Sequence, residues 1–164
     1  MIKVPRFKQL PGECGPTVLK MWLKYYNIKS NINDLVRNTG VTDTHWPDPW
    51  DLQRVARTYG INPTVRVAPD GEDPQVAMDQ LEKIVREGTP VIVSWMASIR
   101  NGAEDHYILV CGMGKEMIMY ADPYTGGYRR EWLGVFKNNW FALKNIPPRS
   151  KEDFILRPML YLEK

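Results

Sequence analysis

The sequence predicts an α+β fold, with N-terminal helices packed on a C-terminal antiparallel β-sheet. Three observations carry this. Helix-start signals and apolar residues at helical spacing fill the chain to about residue 88. From Pro90 onward, short β-branched and aromatic runs alternate with glycine turn signals. Helices first and strands later is the order of an α+β domain, not of alternating α/β folds. The chain has 164 residues, 43% of them hydrophobic, with six Trp and eight Tyr, which suits one domain with a sizeable core.

The elements follow in order. A first helix is expected over about residues 16–26, where Pro16 suits the first turn and Val18, Leu19, Trp22, Leu23 and Tyr26 recur at helical spacing. Asn31 or Asn33 caps a short second helix reaching Val36. Asp48-Pro49 starts a third, carrying Leu52, Val55, Ala56 and Tyr59 and ending at Gly60. Asp73-Pro74 starts a fourth, with Val76, Leu81, Ile84 and Val85, and Gly88 stops it. Strands are expected over 90–95, 106–111, 117–121 and 128–132. The turns are Gly112 to Glu116 and Thr125-Gly126-Gly127. Residues 140–143 form a further strand, and Pro147-Pro148-Arg149-Ser150 a loop. A late strand over 155–162 contains Pro158, which would confine it to a sheet edge.

Composition narrows the function. The net charge of +3 is spread in small groups such as Arg129-Arg130, which reads as solvated surface and gives no reason to expect nucleic-acid binding. No apolar core of a signal peptide follows Met1-Ile2-Lys3-Val4-Pro5, and no run approaches the length of a membrane span. A cytoplasmic location is therefore the default expectation. No Cys or His pair has metal-ligand spacing, so neither metal nor cofactor is expected. The two cysteines differ in setting. Cys111 lies in the apolar run Tyr107 to Cys111 and reads as a core thiol. Cys14 lies in the turn Pro11-Gly12-Glu13-Cys14-Gly15-Pro16, just before the first helix.

Cys14 is the candidate nucleophile. A thiolate attacks, and a helix N-terminus favours negative charge. Gly15 would let a substrate backbone approach closely. His45 and His106 are the available bases. His45 sits in the polar loop Thr44-His45-Trp46-Pro47-Asp48; His106 opens an apolar strand, a rigid mount for an imidazole. Asp122 ends the next strand, and antiparallel neighbours bring it beside His106. Gln9 offers a side-chain amide for an oxyanion. Taken singly, each residue also fits a structural role: a small residue in a turn, a strand-end histidine, an Asp-Pro turn starter, a surface glutamine. Together they supply nucleophile, base, orienter and oxyanion donor in the order Gln, Cys, His, Asp. Trp46, Trp50, Trp95 and Trp132 read as core and rim packing, with Trp95 placed to line a cleft. Asp105 reads as a loop carboxylate facing water.

The sequence resembles the C39-like cysteine peptidases, which are papain-like in fold. The resemblance rests on Val4-Pro5-Arg6-Phe7-Lys8-Gln9 followed by Glu13-Cys14-Gly15-Pro16-Thr17. Leu52 to Ile61 and Leu81 to Ser94, the strands His106-Tyr107-Ile108-Leu109-Val110 and Tyr120-Ala121-Asp122-Pro123, and the pair Phe136 and Trp140 also fit. It covers roughly residues 4–143. Residues 1–164 are read as one such domain, with 144–164 a C-terminal extension. By resemblance Cys14 is the nucleophile, His106 the general base and then acid, Asp122 the orienter and Gln9 part of the oxyanion hole. One departure stands out. The family typically places its Gln six positions before the Cys, and here Gln9 stands five before Cys14.

The resemblance implies hydrolysis of a peptide bond in a peptide or protein substrate, through a Cys14 thioester. Relatives fused to bacteriocin exporters cut leaders after a double glycine, and the Cys-Gly-Pro-Thr form looks more like the stand-alone branch. The same site would also serve an amidase of cell-wall peptides or an acyltransferase. The short Gln9–Cys14 loop leaves a third reading, a catalytically retired peptide-binding module. The sequence does not specify the oligomeric state.

Overall fold

The computed structural model describes residues 1–42, 45–99, 102–145 and 148–163. Helices α1 (Cys14–Tyr25), α2 (Ile32–Thr39), α3 (Pro49–Thr58) and α4 (Pro74–Arg86) occupy the first half, with a short strand β1 (Thr64–Arg66) between the third and fourth. Then come β2 (Val91–Ile99), β3 (Gly102–Met113), β4 (Met117–Asp122), β5 (Gly127–Trp132), α5 (Leu133–Asn139), β6 (Phe141–Leu143), β7 (Phe154–Leu156) and β8 (Met159–Tyr161). Six strands form one sheet in the order β1-β8-β2-β3-β4-β5, every pair antiparallel. β6 and β7 pair separately. This is the expected α+β architecture.

The helix boundaries follow local chemistry. Asn31 caps α2 by accepting from Asn33 N at 2.8 Å. Asp48 and Asp51 form a reciprocal capping box on α3, with Pro49 at its first position. Asp73 accepts from Gln75 N at 2.9 Å to start α4. At the ends of α2, α3 and α4, Gly40, Gly60 and Gly88 take φ of 76°, 80° and 85°, the left-handed turn that glycine accepts without strain.

Strand alternation sorts the core onto two faces. Leu109, Cys111, Ala121 and Leu160 meet α1 and α3 through Leu19, Trp22, Leu23 and Leu52. On the opposite face Val93, Ile108, Val110 and Ile118 meet Leu81, Val85 and the α5 residue Phe136. Phe136 and Trp140 stack at 5.0 Å. The helices therefore cover both faces of the sheet, whereas the sequence suggests one layer on another.

Three strand expectations change. β2 and β3 form a longer hairpin than the apolar runs indicate, continuing through Met96↔Asp105 and Ala97↔Glu104. The late strand is broken in two. Arg157, at φ 48°, bends the chain, and Pro158 falls between β7 and β8. Since the missing N–H lies outside β8, that strand is not confined to an edge: it pairs with both β1 and β2. Finally, β1 and α5 are elements the sequence analysis does not contain. Thr44 of the His45 loop and Pro147 of the proline loop lie outside the described residues.

Candidate active site

The thiol stands at a helix start, two residues earlier than the sequence analysis expects. α1 begins at Cys14 itself, with Glu13 as its cap residue and no side chain capping it. Pro16 is its third residue, where the absent N–H again costs nothing. The short approach loop closes as a turn, Glu13 N donating to Leu10 O at 3.1 Å, with Gly12 at φ 78°. Gly15 is required by the protein's own packing. A Cβ there would stand 2.9 Å from Pro47 Cγ and 3.4 Å from Tyr107. The close neighbour of Gly15 is thus the loop before α3. Pro47 is fixed in turn by Tyr107, whose hydroxyl donates to its carbonyl at 2.9 Å.

His106 lies within β3, opposite Trp95 of β2, and not at a strand end. The register pairs Leu109 with Ala121, so His106 and Asp122 share one face of the sheet. Their side chains meet, His106 Nε2 to Asp122 Oδ1 at 2.8 Å, with only 6% and 2% of their surfaces exposed. Asp122 also anchors the turn that follows β4. Its backbone carbonyl accepts from Gly126 N at 2.8 Å in the turn, while its carboxylate also accepts from Tyr124 N at 2.9 Å. Arg129 approaches the other oxygen at 3.4 Å. This residue, read from sequence as solvated surface, reaches inward to the carboxylate. Tyr124 stands edge-on to the imidazole at 6.5 Å.

Cys14 bears on the His106 ring, as a hydrogen-bond partner and a nearby charge, and helps to raise its pKa. Burial pushes the imidazole toward the neutral form, but Asp122 and Cys14 outweigh it, and the His106 pKa is raised to about 9. Burial likewise pushes the Asp122 carboxyl upward, yet His106, Tyr124 N and Arg129 hold it below the ordinary value. The arrangement can keep a proton on an imidazole placed between a thiol and a carboxylate, the condition for a standing thiolate–imidazolium pair.

Gln9 arrives on an N-terminal strap laid across the sheet. Ile2 N donates to Cys111 O at 2.7 Å. Tyr128 receives a hydrogen bond from Val4 N and gives one to Val4 O, both 3.0 Å. Gln9 N donates to Pro123 O at 2.8 Å, beside Asp122. The Gln9 side-chain oxygen is buried with no hydrogen-bond partner among the described residues.

The remaining candidates separate. His45 pairs with Asp51 at 3.5 Å on the surface of α3. Cys111 is fully buried, its thiol pushed up to about 11 chiefly by burial, and both cysteines are free. Trp46, Trp50 and Trp132 are exposed, while Trp95 is buried. Asp105 is half-buried and does not lie in a loop. It lies in β3 and accepts from Ser94 Oγ and from Leu143 N, the latter at 3.1 Å, and burial pushes its carboxyl up. Its sequence surroundings, Gly102-Ala103-Glu104-Asp105, look like a loop because the partners that bury it come from β2 and β6.

A cavity of about 120 Å³ opens beside the pair, walled by His106, Asp122, Trp95, Tyr120, Arg129 and Glu131 among others. Among the described residues no group of three or more His, Cys, Asp or Glu side chains is arranged to hold a metal ion. Among them also, no helix is long and apolar enough to cross a membrane.

Residues 1–147 match the Peptidase_C39 like family. Among solved structures, the chain is similar to a double glycine motif protease from an AMS/PCAT transporter, solved in complex with the leader peptide. That likeness has a TM-score of 0.68 at 20% identity, covering 99% of this chain and 93% of the other. It is similar to the peptidase domain of Streptococcus ComA, a bi-functional ABC transporter involved in a quorum sensing pathway, at TM-score 0.67 and 17% identity, with 100% of each chain covered. A C39-like peptidase from Bacillus anthracis gives 0.67 and 18%, covering 99% and 96%. No curated protein matches the chain.

Proposed function

The chain belongs to the Peptidase_C39 like family, and on that premise we propose that it is a cysteine peptidase whose nucleophile is Cys14, with His106 as general base and acid, Asp122 as orienter and Gln9 as oxyanion donor. One observation carries the reading: the buried imidazole of His106 bonds to the Asp122 carboxylate, and both Asp122 and Cys14 raise its pKa.

His106 takes the thiol proton and holds it as imidazolium, with Asp122 stabilising the charge. The uncapped N-terminus of α1 faces the resulting thiolate and favours it electrostatically. The thiolate attacks a peptide carbonyl. The oxyanion accepts hydrogen bonds from the Gln9 amide and from a backbone N–H at the start of α1. His106 then gives its proton to the leaving amine, and the acyl group remains on Cys14 as a thioester. Water enters, His106 takes its proton, and the acid product leaves. The substrate is a peptide or protein; residues 1–164 act as one catalytic domain.

The test is peptide hydrolysis by wild type and Cys14→Ala, with intact-mass detection of an acyl adduct on Cys14. Hydrolysis and adduct should both vanish in the variant, because members of such a unit act together. Cys14→Ala that still cuts peptides would overturn the assignment.

A further inference from the structure

We propose that the cavity beside His106 is the subsite for the residue just after the cut, and that it selects a neutral side-chain amide, glutamine or asparagine. This rests on the peptidase reading above and adds the side chain that the leaving fragment presents.

Direction comes from the chemistry. The group that protonates the leaving nitrogen must touch it, so the residue carrying that nitrogen lies against the imidazole. His106 and Asp122 wall the cavity, and neither Cys14 nor Gln9 does. It therefore sits on the imidazole side of the scissile bond, away from the acyl group and the oxyanion. Its volume of about 120 Å³ suits one medium side chain.

The lining gives the selectivity. The indoles of Trp22 and Trp140 donate to Pro90 O at 3.1 Å and Pro158 O at 3.2 Å. Among the described residues the Trp95 indole N–H has no partner, although Trp95 is only 4% exposed and walls the cavity. A buried donor left unpaired is costly, so a ligand acceptor there gains a full hydrogen bond. The charges around it balance: Asp122 and Glu131 against Arg129 and the His106 imidazolium. A carboxylate side chain would meet the Glu131 carboxylate, and an ammonium or guanidinium carries no acceptor for the indole N–H. A side-chain amide gives its oxygen to the indole and its N–H groups to Glu131. One Glu131 oxygen accepts from Trp132 N at 2.8 Å, so the ligand amide would use the other. Tyr120 and Ala97 offer apolar surface for the methylenes.

A positional peptide library read by mass spectrometry tests this. Glutamine after the cut should exceed methionine, its near-isostere, by about 10-fold in kcat/KM. Trp95→Phe should bring the two within about twofold, the bond being absent. Should that variant not fold, Glu131→Gln supplies the second test: it should raise glutamate relative to glutamine at that position. A glutamine preference that is absent, or unchanged in both variants, overturns the inference while leaving the peptidase reading intact. Failure of the peptidase reading looks different, with no Cys14-dependent cleavage of any peptide. The cavity is then still decided by NMR of the Trp95 indole N–H, identified by its loss in Trp95→Phe. Propionamide should shift it more than propionate or propylammonium does, and equal shifts overturn the amide selectivity.

Discussion

Replacing Asp122 by asparagine removes the charge behind the imidazole while keeping its shape. In the native protein a 2.8 Å bond joins Asp122 to His106, and both side chains are almost wholly buried. A hydrogen bond to a charged group contributes about 1.5–3 kcal/mol. That energy favours the thiolate–imidazolium pair over the neutral thiol–imidazole pair, because only the former carries the positive ring. At ~1.4 kcal/mol per tenfold, Asp122→Asn should lower the population of the ion pair by about 10- to 100-fold. The readout is Cys14 alkylation by chloroacetamide across pH, which needs no substrate. The variant should react more slowly than wild type at pH 6.5 by the stated factor. A variant that reacts within twofold of wild type at pH 6.5 would refute the reasoning.

Three further outcomes follow from the same geometry. Burial pushes the Cys111 thiol up to about 11, so alkylation of the folded protein at pH 8 should give one adduct, on Cys14, by peptide mass mapping. The carboxyl of Asp122 is held below its usual 3.8, so it contributes stability above that value and loses it as pH falls through the lower folded value. Urea midpoints measured on acidification should therefore fall in wild type, and less steeply in Asp122→Asn. Gln9→Ala should lower kcat by about 10²-fold, since one oxyanion donor is removed, with a smaller change in KM. Steady-state kinetics on one peptide checks this, and an unchanged kcat would remove Gln9 from the oxyanion hole.

Features that rest on local chemistry were legible in the sequence. Asp48-Pro49 and Asp73-Pro74 announce α3 and α4 because an N-cap needs only its own neighbours. His106 and Asp122 could be paired by strand adjacency, since a regular ladder makes side-chain direction predictable. Features that depend on distant partners were not legible. β1 has three residues and becomes a strand by pairing with β8. α5 follows β5 with no capping side chain and carries Gly134 in its first turn, so nothing local marks its start. Asp105 and Arg129 read as surface charges because Ser94, Leu143 and Asp122, which engage them, lie on other strands. Tyr128 gave no sign of clamping Val4, since their contact spans most of the chain. Pro158 misled for a related reason: a proline rule applied to a continuous strand fails when the chain bends one residue earlier.

The position of β8 has a consequence for synthesis. β1 emerges early, but its sheet partner follows about a hundred residues later, and β2 also needs β8 on its outer side. Such long-range pairing is slow, because loop closure must precede any gain from contact. On the ribosome, β1 therefore stays unpaired on its sheet edge until Met159 to Tyr161 clear the exit tunnel. α1, β3 and β4 are made before that, so Cys14, His106 and Asp122 have all emerged while the sheet is still open. β8 then acts as the zip that joins the β1 edge to the sheet carrying the imidazole. A nascent chain of this protein should gain its full resistance to added protease only after that step.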